Sequence, residues 1–305
     1  MKNRCLFLIE ANEVELTFIK KLCKIAQSYE QAIFVLRNAD LLNKKNTKTG
    51  NLISALHSIL KSESKTPFLV IPYASKGNAG LSYWLRLKLL TPTFEKIFTT
   101  QAEDEKPSKQ FINCDFELLE FEPKKRNPIV KTIDRDLKRG LFITRAQPLH
   151  NGHAAFIEEM ANENDEFIIL LAAAEQSHQS KNPLSATERL EMVHSYLNSY
   201  YTHRFYLVAL PQNSFTLENM YELSYLLPDF QSVYATNPVI MSMCNSMNIP
   251  VKTLKQNVNI SATEIRNRIL KNESCEAMLP PIILSYLEKI SFQERLQLIN
   301  HQYQR

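Results

Sequence analysis

Arg139-Gly-Leu-Phe-Ile143, followed by His150-Asn-Gly-His153 and then Ala154-Ala-Phe-Ile-Glu-Glu-Met160, decides how this chain of 305 residues is read. The first piece is apolar enough for a short buried strand, and the last has the period of an amphipathic helix. A strand that runs into a helix start leaves the first helical N–H groups without internal partners, and this makes an anion site. His150 and His153 share one face of that first turn. Gly152 adds no side chain, so a bulky anion can approach the backbone. From these residues alone the pair is a phosphate site, a zinc pair or two solvated histidines. No cysteine or acidic cluster of ligand spacing accompanies it, so no bound metal is expected.

Outward from this point the second half alternates regularly. Strand-like runs at 140–144, 166–172, 204–210, 231–235 and 250–254 are separated by helical stretches at 150–162, 186–200, 217–227, 238–247 and 261–270. Such alternation predicts a doubly wound α/β domain with a parallel, Rossmann-like sheet covered on both faces. The run Phe167-Ile-Ile-Leu-Leu-Ala172 is apolar throughout, as a strand buried on both sides requires. Ligands of such sheets bind outside the carboxyl ends of the strands, where the two histidines fall. With five glycines in the chain there is neither a G-x-G-x-x-G nor a G-x-x-x-x-G-K-[ST] loop.

Gly140-Leu-Phe-Ile-Thr-Arg-Ala-Gln-Pro-Leu-His-Asn-Gly-His153 resembles the HxGH signature of the nucleotidylyltransferase superfamily. It is most similar to the G-R-F-Q-P-F-H-x-G-H form of the archaeal-type nicotinamide mononucleotide (NMN) adenylyltransferases. Later segments resemble that family in the same order. They are Ala174-Glu-Gln-Ser-His178 with Asn182-Pro183 and Glu188-Arg189, Ala235-Thr-Asn-Pro238, Ile260-Ser-Ala-Thr-Glu-Ile-Arg266, and Met278-Leu-Pro-Pro with Glu294-Arg295.

The resemblance implies an adenylyltransferase that joins ATP and NMN to give NAD and pyrophosphate, with Mg²⁺ accompanying ATP. By the same resemblance His150, His153 and Arg266 are catalytic, facing the ATP phosphates and the transition state. Thr144, Arg145, Gly152, Asn237, Ile260, Ser261 and Thr263 form the rest of the ATP and phosphate site. Glu175, Ser177, His178 and Asn182 surround the mononucleotide, with Asn219 and Tyr221 standing near the family's N-x-x-W. Read locally, Ser261-Ala-Thr-Glu264 and Ser185-Ala-Thr-Glu188 are also capping boxes, and Asn237-Pro238 a helix start. The chain departs from the family at Thr144 and Ala146, where Gly and Phe are usual, at Glu175 for Gln and at Ala262 for Gly. These departures leave room for another phosphorylated acceptor, such as nicotinate mononucleotide or a pantetheine phosphate. They also leave room for a non-catalytic nucleotide-binding regulator.

The first half reads as a degenerate copy of the second. Arg4-Cys-Leu-Phe-Leu-Ile9 matches Arg139-Gly-Leu-Phe-Ile-Thr144, and Gln31-Ala-Ile-Phe-Val-Leu36 matches Glu166-Phe-Ile-Ile-Leu-Leu171 at the same offset of 135 residues. Phe68-Leu-Val-Ile71 and the run from Leu90 to Thr100 follow with slight drift, against Phe205-Tyr-Leu-Val208 and the run from Leu226 to Thr236. In place of the histidines stands Glu15-Leu-Thr-Phe18, which cannot hold phosphate and would repel it. Two tandem domains are therefore expected, 1–134 without catalysis and 135–305 catalytic with a helical tail. The charged segment 101–109 reads as a loop.

Composition agrees with a globular protein: 44% hydrophobic, 22% charged, net charge +4. Mild basicity suits small anions, and without a dense basic stripe no nucleic acid is expected. Five scattered cysteines suggest a reducing, cytoplasmic setting. Leu6-Phe-Leu-Ile9, stopped by Glu10, is too short for a signal peptide, and no apolar run approaches a membrane span. A homo-oligomer is expected from the family.

Overall fold

In the computed structural model the described residues are 3–37, 49–73, 81–122, 137–201, 204–210, 217–254 and 260–302. Packing divides the chain into two units, Met1–Leu137 with Thr216–Phe230, and Lys138–Phe215 with Gln231–Arg305. The domain boundary expected near residue 134 lies outside the described residues.

The first unit carries the strands β1 (Arg4–Ile9), β2 (Gln31–Arg37), β3 (Phe68–Tyr73), β4 (Lys96–Thr99) and β5 (Asp115–Leu118). They form one parallel sheet in the order β3-β2-β1-β4-β5. The helices α1 (Leu16–Ala26), α2 (Thr49–Glu63) and α3 (Leu81–Leu89) connect them, with a single turn α4 (Glu105–Pro107). Every residue of β1, β2 and β3 is buried, as a sheet covered on both faces demands. Phe7 sits opposite both Phe34 and Phe98 in register and stacks on them at 4.9 and 5.1 Å between ring centres.

Segment 101–109, read as a loop, is instead wound into short helical turns at Ala102–Asp104, Glu105–Pro107 and Ser108–Ile112. The reason lies far off in sequence. Asp104 is buried, accepting from Thr99 Oγ1 at 2.8 Å and pairing with the Arg37 guanidinium at 2.8 Å. That anchor winds the charged segment against the sheet while Glu105, Lys106 and Lys109 keep to its solvent side.

The second unit carries β6 (Arg139–Thr144), α5 (Asn151–Glu163), β7 (Glu166–Leu171), α6 (Ala186–Tyr200) and β8 (Phe205–Ala209). Helix α7 (Leu217–Leu226) follows in sequence but is grouped with the first unit. The second unit then continues with β9 (Ser232–Tyr234), α8 (Pro238–Ser246), β10 (Val251–Lys252), α9 (Ala262–Leu270), α10 (Pro281–Lys289) and α11 (Phe292–Gln302). These boundaries fall close to those expected, since the periodicity that predicts them is local. The sheet is again parallel, with order β10-β9-β6-β7-β8, so each sheet has its first strand at the centre, flanked by its second and fourth. Among the described residues no helix is long and apolar enough to cross a membrane.

Candidate active site

Strand β6 ends at Thr144, and the chain crosses the carboxyl edge of the sheet before entering α5 at Asn151. His150 immediately precedes the helix, and His153 lies in its first turn, so the rings meet face to face at 3.8 Å between centres. The His150 N–H donates to His153 Nδ1 at 3.3 Å. His153 Nε2, which then carries the proton, lies 3.0 Å from Thr144 Oγ1, and that oxygen also accepts from the Ala146 N–H at 3.1 Å. Thr144, where the family usually has Gly, thus braces the second histidine. His150 is 6% exposed, and its buried Nδ1 has no partner among the described residues. A Cβ at Gly152 would meet the His150 ring at 3.0 Å and the Ile260 carbonyl at 3.5 Å, so glycine is what lets this ring fold over the helix start.

Arg266 comes to the same place from α9. It is 7% exposed and donates to the Gln147 carbonyl at 2.8 Å and to Thr263 Oγ1 at 3.1 Å. Ser261 caps α9 by accepting from the Glu264 N–H at 3.1 Å. The Glu264 side chain does not complete the expected capping box but pairs with Arg268. At α6 both halves form between Ser185 and Glu188. Asn237 caps α8, with Pro238 in its first turn.

These elements enclose a cavity of about 750 Å³. It brings together His150, His153, Arg266, Thr144, Arg145, Gly152, Asn237, Ile260, Ser261 and Thr263, all expected in the phosphate site. Lys181 adds a cation, and among the described lining residues there is no carboxylate. The chemistry of the lining is that of a polyanion site.

The residues expected around the mononucleotide are placed differently. Glu175, Ser177, His178 and Asn182 lie on the loop after β7, from which only Ser180 and Lys181 line the cavity. Asn182 is buried and donates to Gln176 Oε1 at 2.5 Å. His178 lines a separate cavity of about 440 Å³ beside Glu294 and Arg295. Asn219 and Tyr221 are on α7, in the first unit; Tyr221 is exposed, and the Asn219 side chain lies outside the described residues.

Three features escaped the reading of the sequence. Gln147 is buried and bonds both the N–H and the carbonyl of Leu184 at 2.9 Å, tying the β6 loop to the start of α6. Lys181 lies among the expected loop residues, between His178 and Asn182, but carried no signal beyond its charge. From α11, Leu296, Ile299 and Asn300 supply one wall of the cavity.

Residues 141–268, which include the two histidines, Lys181 and Arg266, match the cytidylyltransferase-like family. A nicotinamide-nucleotide adenylyltransferase from Methanococcus aeolicus is 32% identical over 164 residues, covering 53% of this chain and 95% of the relative. Those from Thermococcus onnurineus and Pyrococcus furiosus are 32% and 31% identical, covering 53% of this chain and 88% and 89% of the relatives. The chain belongs to the HxGH nucleotidylyltransferases, in their archaeal-type NMN adenylyltransferase branch.

In this nucleotidyltransferase the surroundings of both histidines favour the neutral imidazole. Burial pushes His150 down to about 4, and burial together with the neighbouring His150 holds His153 well below the usual histidine range. They therefore meet an anion as hydrogen-bonding imidazoles, and protonation is favoured only once negative charge is present. Because the folded His150 resists a proton that the unfolded chain accepts near 6.5, stability falls as pH drops from about 6.5 towards 4. This residue alone is expected to cost about 2 kcal/mol at pH 5 relative to pH 7. In His150→Gln the difference between urea midpoints at the two pH values, followed by far-UV dichroism, should shrink accordingly. An unchanged difference would refute the assignment.

Proposed function

We propose that the second unit transfers the adenylyl group of ATP to NMN, releasing pyrophosphate and giving NAD. A phosphate oxygen of the acceptor attacks the α-phosphorus in line as the bond to pyrophosphate breaks. No side chain need become covalently attached, so the work is alignment and stabilisation of charge. His150 and His153 are assigned to the transferred phosphoryl group, and Arg266, with Lys181 and Arg145, to the departing pyrophosphate. Mg²⁺ supplies further charge neutralisation. The observation that carries this reading is the stacked His150–His153 pair sharing with Arg266 one cavity whose described lining residues include no carboxylate.

The first unit is best understood as a degenerate, non-catalytic copy. In its support, β1–β2 and β6–β7 pair in the same register, Arg4↔Gln31 against Arg139↔Glu166. Even the side-chain bond is repeated, Arg4 Nε to Gln31 Oε1 at 2.7 Å and Arg139 Nε to Glu166 Oε2 at 2.8 Å. At the carboxyl edge of this first sheet, where the second unit has its cavity, Arg37 is bound by Glu10 and Asp104, and Glu13 is bound by Thr100. Side chains of the unit itself thus satisfy one another there. A cytoplasmic homo-oligomer is proposed with the same reading, in keeping with five free thiols.

The test is NAD formation by the full chain from NMN, ATP and Mg²⁺, with nicotinate mononucleotide as the competing acceptor. Turnover preferring NMN is expected. Preference for the acid would correct the acceptor, and absence of turnover with both would refute the reading.

A further inference from the structure

Arg189, in the first turn of α6, is 0% exposed and has no carboxylate partner among the described residues. Its guanidinium is instead surrounded by main-chain oxygens. Nη1 donates to the carbonyls of Ala172 at 2.7 Å and Arg145 at 3.1 Å, Nη2 to Ala173 at 3.0 Å, and Nε to Ser185 at 3.4 Å. These acceptors come from three segments. Arg145 opens the loop that carries the histidines, Ala172 and Ala173 leave the neighbouring strand β7, and Ser185 caps α6. One acceptor, Ala173, and the neighbour of another, Ala146, have φ of 51° and 46°, the left-handed region that side chains other than glycine rarely occupy. The guanidinium is what the surrounding backbone is bent around.

Two consequences follow for an anion in the cavity. Carbonyl oxygens at the carboxyl edge of a parallel sheet present partial negative charge, and three of them here are held on Arg189. A buried cation bonded to neutral groups, with no carboxylate partner among the described residues, also keeps a field that no protein counter-ion cancels. Burial and the neighbouring Arg145 push Arg189 down to about 10, so it stays charged at neutral pH.

Resting on the reading of the cavity as an ATP site, we propose that Arg189 is a positioning residue for the polyphosphate. It holds the carbonyls of Arg145, Ala172 and Ala173 and sets a fixed positive charge behind the loop, without touching the ligand. Its contribution grows with ligand charge, which a strut that only supports the fold would not produce.

The experiment measures Kd for ATP and for AMP calorimetrically in the full chain, its Arg189→Met and Arg189→Lys variants, with kcat alongside. Arg189→Met should weaken ATP by about tenfold or more and AMP by less than about threefold. Arg189→Lys keeps the charge but has too few donors for four carbonyls. It should retain the ATP-over-AMP preference while kcat falls about tenfold, a prediction that stands even where the methionine variant fails to fold. Equal loss of ATP and AMP, unchanged affinities in Arg189→Met, or an unchanged kcat in Arg189→Lys would overturn the proposal. Binding of neither nucleotide by the unmodified protein would instead refute the ATP reading on which it rests.

Discussion

Replacement of His153 by alanine is expected to lower kcat for NAD formation by about 10²–10³-fold, the effect of deleting one preorganised donor to a transition-state oxygen. The loss should appear in kcat more than in KM, because the stabilised charge develops during transfer and not on binding. The side chain has two further duties that alanine cannot perform: its Nδ1 receives the His150 N–H, and its ring stacks on the His150 ring. For that reason the double replacement of His150 and His153 should cost far less than the product of the two single effects. Steady-state kinetics at saturating ATP and NMN check both points. A His153→Ala enzyme within threefold of the unmodified one would remove this residue from the reaction.

Arg37→Met should destabilise the first unit by about 3–5 kcal/mol, the range for deleting one partner of a buried ion pair. Arg37 is 6% exposed and Asp104 3% exposed, with Glu10 as a second anion on the same guanidinium. Burial works against the Arg37 charge, but the Asp104 bond prevails and raises its pKa above the usual arginine value. Without that charge two carboxylates would be left around an apolar side chain, with the Thr99 hydroxyl still donating to Asp104. The measurement is simple because the single tryptophan, Trp84, is fully buried in this unit and reports on it alone. A urea midpoint followed by its fluorescence should fall by the corresponding amount. Arg37→Met combined with Asp104→Leu should recover part of the loss, since the orphaned charge is then removed. A midpoint unchanged in Arg37→Met would show that the network contributes nothing to stability.

Much of the phosphate half that the resemblance implies was legible in the sequence, as residues that the fold brings to one cavity. A capping serine acts three residues from its partner, and a helix start exposes its N–H groups wherever it occurs. Ser185, Ser261, Asn237 and the pair His150 and His153 could therefore be placed from neighbours within one turn. The mononucleotide half that the resemblance implies was less legible. Its expected residues lie on a loop and on α7, whose directions follow from packing, and of that loop only Ser180 and Lys181 line the cavity.

Local periodicity was enough for the alternation of strands and helices, for two parallel sheets and for the turn that carries the histidines, because each depends on residues close along the chain. Gln147 receiving Arg266 across 119 residues, Arg189 gathering carbonyls up to 44 residues away, and Asp104 winding its segment against Arg37 across 67 depended on the assembled fold. So did the neutrality of His150, since a pKa answers to burial in three dimensions and the motif carries no measure of it.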